Sequence, residues 1–227
     1  MLNLICNFVN IWNIISLSNT TKRKNIMTAQ QGNQAVLVGY MVEEDFEFSH
    51  KVNNEKFFKF TLEIERMSGT KDYLPIIISE KLIDNRQTYA DNPVCVIGEF
   101  RSYNQKDESS THLLLYVFAQ EFYFTDDKTM NELYINGFVC RPPLYRTTPL
   151  GRQIADLMLA VPRAYGKCDY IPCICWGRNA VYASQLGVGS NITVSGRIQS
   201  REYQKEVNAI PITKIAYEVS VCDLKGA

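Results

Sequence analysis

Four aromatic residues, Tyr165, Tyr170, Trp176 and Tyr203, are interleaved in the second half of the chain with Arg141, Arg146, Arg152, Arg163, Arg178, Arg197, Arg201 and Lys205. Flat rings stack on exposed nucleobases, and guanidinium groups both stack and grip phosphate, so this mixture suits an unpaired nucleic-acid strand. Seven of the eleven basic residues between 131 and 227 are Arg. Two competing readings apply to these residues: Trp176 ends an apolar run and could be core, and any single arginine could be a solvated surface charge. The arginine-rich surround favours stacking for Trp176.

The 24 basic and 24 acidic residues cancel over the 227-residue chain, but not locally. Residues 1–27 carry +3, residues 28–130 carry −7 (10 basic, 17 acidic) and residues 131–227 carry +4 (11 basic, 7 acidic). A split of this kind points to one half meeting a polyanion. Enzymatic chemistry finds no support. The two histidines, His50 and His112, stand without partner motifs, and no phosphate-cradling glycine loop or nucleophile elbow occurs. Cys173 and Cys175 share one face of a strand but need two further ligands to hold a metal, so buried free thiols in a reducing cytosol are expected, with no metal and no cofactor.

The elements that would position these residues come from an internal repeat. Leu62, Arg66, Gly69, Asp72, Tyr73 and Pro75 recur 97 residues later as Leu159, Arg163, Gly166, Asp169, Tyr170 and Pro172. At an offset of 98, Asn33, Gly39, Gly98 and Ser102 recur as Asn131, Gly137, Gly196 and Ser200. Alternating apolar positions predict strands at 34–42, 57–66, 72–79, 94–102 and 111–119, and again near 132–140, 153–163, 169–176, 191–200 and 209–222. A helix is expected between the third and fourth strands of each unit, at Ser79–Gln87 and near Asn179–Leu186. Five strands with that helix describe an OB-fold barrel, so the expected architecture is all-β, two tandem five-stranded OB-fold barrels with one short helix each. The predicted layout is an extension at 1–32, an acidic barrel at 33–124, a linker at 125–130 and a basic barrel at 131–227. In the extension, Leu2–Leu17 is apolar but broken by asparagines and followed by Lys22-Arg-Lys24, which fits neither a membrane span nor a secretory signal. Two readings remain there, a weak membrane anchor and an upstream stretch translated ahead of a start at Met27, and the second is favoured.

Asn131-Glu-Leu-Tyr-Ile-Asn-Gly137, Thr148-Pro-Leu-Gly151, Ile154-Ala155, Leu159-Ala-Val161, Asp169-Tyr-Ile-Pro172, Trp176-Gly177 and Gly196-Arg-Ile-Gln-Ser-Arg201 run in the order found in the bacterial single-stranded DNA-binding protein (SSB) family, which this segment resembles. The first unit resembles it more faintly, through Asn33, Gly39, Asp72-Tyr-Leu-Pro75 and Gly98-Glu-Phe-Arg-Ser-Tyr103. The resemblance implies stacking of bases at Tyr165, Tyr170, Trp176 and Tyr203. Phosphate contacts are then expected from Arg146, Arg163, Arg178, Arg197, Arg201 and Lys205, with Tyr73, Tyr103, Arg66 and Arg101 as a secondary set. It also implies a cytoplasmic, nucleoid-associated protein that coats single-stranded DNA in replication, recombination and repair, without sequence preference. OB barrels also accept RNA. Family members with one barrel form tetramers, so two barrels per chain imply a homodimer. The first unit departs from the pattern in its acidity and in having Ser79 where the second has Trp176. The sequence closes on Cys222-Asp-Leu-Lys-Gly-Ala227 rather than an acidic, Phe-terminated tip, so tail-mediated recruitment of replication enzymes is not expected. A protein–protein scaffold of a replication-restart or phage complex is the competing function.

Overall fold

Alternation decides the strands. Along Lys71–Ser79 the even positions Asp72, Leu74, Ile76 and Ile78 are buried, while Tyr73, Pro75 and Ile77 face outward. The computed structural model describes residues 32–106, 111–207 and 210–226. The expectations for the extension, including the start at Met27, lie outside the described residues.

The first half forms β1 (Asn33–Met41), β2 (Glu47–Val52), β3 (Glu55–Glu65), β4 (Lys71–Ser79), β5 (Val94–Lys106) and β6 (Thr111–Phe124). The second half repeats them as β7 (Met130–Val139), β8 (Leu144–Thr147), β9 (Gln153–Arg163), β10 (Lys167–Trp176), β11 (Asn191–Val207) and β12 (Ile210–Gly226). Each half closes on itself. β1 pairs with β3 and β5, β3 with β4, β5 with β6, and the ring is completed by a parallel β4–β6 pairing. β7, β9, β10, β12 and β11 close in the same order, with β10–β12 parallel. Two five-stranded OB barrels result, filled by residues such as Leu37, Leu62, Ile76 and Phe100 in the first and Ile135, Leu159, Ile171 and Val194 in the second.

Glycines recur where strands cross too closely for a side chain. A Cβ on Gly98 would lie 2.1 Å from the Phe118 carbonyl oxygen, and one on Gly196 would lie 2.3 Å from that of Ser220. Both sit at register shifts that bend the long β5–β6 and β11–β12 hairpins.

Two features differ from the sequence expectation. Each barrel carries a sixth strand, β2 or β8, paired only at its edge with β3 or β9. For β2 the signal was the Asn53-Asn54 turn, whose positive φ angles of 46° and 70° suit a two-residue hairpin. The helix expected at Ser79–Gln87 is a single 3-10 turn, Glu80–Leu82, capped by the Ser79 hydroxyl, which accepts the Lys81 N–H at 3.2 Å. It stops because the Asp84 carboxylate accepts the Arg86 N–H at 3.1 Å, a local turn that competes with helix continuation. The second helix, α1 (Arg178–Ser184), forms and buries Ala180 and Ala183.

The barrels are fused rather than tethered. β1 lies antiparallel to β7 so that Ala35 faces Leu133, its own counterpart at the 98-residue offset, and the pairing is symmetric about that point. Twelve strands thus form one continuous sheet within the compact unit Gly32–Ala227. The residues that revealed the repeat brace the junction strands within each barrel and then bridge the two barrels. Asn33 donates to the Phe100 carbonyl and accepts the Phe100 N–H, and Asn131 does the same for Ile198. Asp169, fully buried, accepts the Ser102 N–H from the other barrel at 2.8 Å, and Asp72 accepts that of Ser200 at 2.9 Å. The two serine hydroxyls reciprocate, accepting the N–H groups of Tyr170 and Tyr73.

Candidate nucleic-acid interface

On β10 the odd positions Ile171, Cys173 and Cys175 enter the core, and the even positions Tyr170, Pro172, Ile174 and Trp176 line the outer face. Burial pushes the Cys175 thiol up to about 12 and the Cys173 thiol well above its ordinary value, so both are neutral packing groups. From Tyr170 to Trp176 the face extends about 20 Å at the usual rise per residue.

Over that face lies an open groove of about 750 Å³, walled by β8, β9, β10, β11 and β12. Trp176, Ile174 and Pro172 form its floor, with Arg141, Arg146 and Arg201 around them. Its acids are Asp156 and Glu218. Asp156 holds Arg146 at 3.0 Å, whereas Glu218 accepts from Gln199 and stands 4.0 Å from Arg201. Arg141 is exposed with no ion pair among the described residues, leaving the groove one positive charge in excess. Trp176 keeps 38% of its surface in solvent, which a core tryptophan would not.

The structure places the remaining expected residues in three settings. Tyr170 lies on the same face of β10 outside the groove lining, at 42% exposure, and Arg178 opens α1 two residues beyond Trp176 as an exposed residue. Tyr203 stands on β11 outside the groove lining, with the Arg201 guanidinium 5.9 Å from its ring centre. Tyr165 projects, 98% exposed, from the β9–β10 turn at a φ of 63°, a conformation costly for a tyrosine and consistent with presentation to a ligand. Arg163 and Arg66 belong to the junction instead: Arg163 pairs with buried Asp169 at 3.4 Å, and Arg66 forks onto buried Asp72 at 2.6 and 2.7 Å. Arg197 lies in a cleft between the barrels, beside Arg66 and Glu132, with its Nε buried and without a hydrogen-bond partner. The side chain of Lys205 lies outside the described residues. Arg101 in the first barrel is paired with Glu99 at 2.8 Å and stacked 4.0 Å over Phe118. The groove adds Arg141, Pro172, Ile174 and Gln199 to the expected set; the alternation of Ile171–Trp176 was the signal for Pro172 and Ile174 to share the face of Trp176.

The single-strand binding protein family matches residues 130–225, the second barrel with nearly its whole hairpin. Single-stranded DNA-binding protein 3 of Clostridium acetobutylicum is 34% identical over 97 residues, covering 39% of this chain and 67% of that protein. The chain belongs to the SSB family. Single-stranded DNA-binding protein 1 of Staphylococcus aureus is 33% identical over 102 residues, covering 41% of this chain. The chain spans only 58% of that relative's length. The likeness in fold reaches further than the likeness in sequence. The crystal structure of the single-stranded DNA-binding protein from Thermus aquaticus superposes with a TM-score of 0.70 at 17% identity, covering 86% of this chain and 92% of that one. The SSB fold therefore extends over both barrels. No helix among the described residues is long and apolar enough to cross a membrane.

Proposed function

We propose that this SSB-family chain is a binding protein, not an enzyme, that coats single-stranded DNA in replication, recombination and repair in the cytoplasm. Bases stack on Trp176, Tyr170, Tyr203 and Tyr165, and phosphates are met by Arg141, Arg146, Arg178 and Arg201. The observation that carries this reading is the groove of the second barrel, where an exposed tryptophan floor lies inside a ring of three arginines. Stacking is tolerant of base identity and arginine–phosphate contacts ignore it, so binding is insensitive to sequence. Fluorescence titration of the chain with oligo(dT) at several salt concentrations tests this. The affinity is expected to fall with log salt at a slope of about −0.7 per phosphate contact. Duplex DNA binds much more weakly, and oligo(rU) serves as an RNA arm because nothing in the groove selects against a 2′-hydroxyl. Tight duplex binding with a flat salt response would falsify the reading.

Two barrels per chain lead to a homodimer presenting four, joined by a closed, symmetric interface. Light scattering at micromolar concentration should give about twice the 26.0 kDa mass of the chain. A particle of single-chain mass refutes the dimer without touching the DNA-binding reading.

A further inference from the structure

β2 and β8 stand at the two ends of the twelve-stranded sheet, and among the described residues neither has a strand on its outer side. The row of N–H and C=O groups along such an edge is a template for another strand. The two edges are opposite in charge. Residues 43–52, β2 with the turn leading into it, hold Glu43, Glu44, Asp45 and Glu47 against Lys51, a net −3. Residues 141–152, β8 with its flanks, hold Arg141, Arg146 and Arg152 and no acid, a net +3. Thr61 takes up Glu43, Lys59 takes up Glu47, and Asp156 takes up Arg146. Glu44, Asp45 and Arg152 are exposed, with no ion pair among the described residues. Phe48 and Val52 on β2, and Leu144 and Tyr145 on β8, add exposed apolar surface beside these charges.

We infer that the β2 edge of one copy of this chain pairs antiparallel with the β8 edge of the next copy on the same DNA strand. The inference rests on the function proposed above, which supplies the shared strand. Like charges keep β2 from β2 and β8 from β8, so the mixed pairing is the attractive one. Its direction follows from the same charges. Antiparallel pairing sets Glu44 and Asp45 beside Arg152, whereas parallel pairing would set Lys51 there. Lys51 then falls toward Arg141, whose charge the phosphates of a bound strand neutralise, so DNA favours the contact. Because the two surfaces differ, the contact is head-to-tail and leaves a free edge at each end of a row of copies. β8 is four residues long and flanked by Pro143 and Pro149, which have no N–H to offer. So short an edge forms few bonds. It does not join chains free in solution, and it takes effect where one strand holds two copies side by side at high local concentration.

The test measures binding of the full chain to an oligo(dT) that holds one particle of the protein and to one that holds several. The readout is the ratio of the two affinities per site. In the parent, a particle beside another is expected to bind about tenfold tighter than an isolated one, the equivalent of about one net hydrogen bond. Glu44→Arg and Arg152→Glu, both exposed and outside the groove lining, should each remove this preference, whatever they do to the one-particle affinity. The chain carrying both changes should regain it, because the opposite charges face each other again. A parent ratio near one overturns the inference, as do single variants that keep the parent's ratio or a double variant that fails to regain it. A fall in the mass of either single variant by light scattering without DNA gives the edges to the dimer interface and also overturns it. Failure of the parent to bind the one-particle oligonucleotide sinks the proposed function itself, an outcome distinct from these.

Discussion

Replacing Trp176 and Tyr203 together by alanine is expected to weaken binding of a short oligo(dT) tenfold to several-hundredfold. Each ring lost from a stacking surface typically costs about 1–3 kcal/mol per base, and two neighbouring sites on one strand add only in part. Both rings are more than a third exposed, so their removal leaves the barrel core intact and the loss reads binding rather than folding. The comparison variant is Tyr73→Ala with Tyr103→Ala, in the first barrel, which should cost that short oligonucleotide a few-fold at most. The charge of −7 over residues 28–130 repels a phosphate backbone, Ser79 stands where the other barrel has Trp176, and Arg66 and Arg101 are already paired with Asp72 and Glu99. Equal losses from the two double variants would show that both barrels share the strand evenly, against this charge argument.

The largest expected effect on stability comes from Asp72→Ala. This carboxylate is fully buried, accepts a forked pair of bonds from Arg66 and accepts the Ser200 N–H from the other barrel. Removing it leaves a guanidinium and a backbone donor at the junction without their acceptor. Breaking a buried pair from one side typically costs about 3–5 kcal/mol; Arg66 keeps a quarter of its side chain in water, which places this case near 3 kcal/mol. Urea unfolding should show the midpoint falling at unchanged slope. Arg66→Ala should cost less, because the Asp72 carboxylate left behind still accepts the Ser200 N–H. A loss below about 0.5 kcal/mol for Asp72→Ala would mean that the buried carboxylate stabilises the junction no more than an exposed polar side chain would.

Much of this architecture is legible in the sequence because strand periodicity is local. Which face of β10 carries Trp176 and which carries Cys173 and Cys175 follows from a period of two, before any partner strand is known. The recurrence of Asn33, Arg66, Gly98 and Ser102 in the second half likewise announces two copies of one unit. The motif resemblance pointed to the SSB family for the same reason, since its residues occur in order along one segment.

What these repeated residues are for was decided only in three dimensions. Asp72 and Ser200 are 128 positions apart, and their meeting depends on how β1 lies against β7, which no local pattern encodes. That contact draws Arg66 to the junction and the matching Asp169–Ser102 contact draws Arg163, although by composition they were indistinguishable from Arg146 and Arg201. Arg141 and the Pro172–Ile174 floor joined Trp176 in one groove because β8 through β12 curl around it. The helix expected over Ser79–Gln87 shrank to the turn Glu80–Leu82 because the Arg86 N–H bond to the Asp84 carboxylate outweighed a weak apolar period. Local periodicity decides which side chains point outward; closure of the barrels and the pairing between them decide which of those side chains share a groove, because those contacts join residues far apart in the chain.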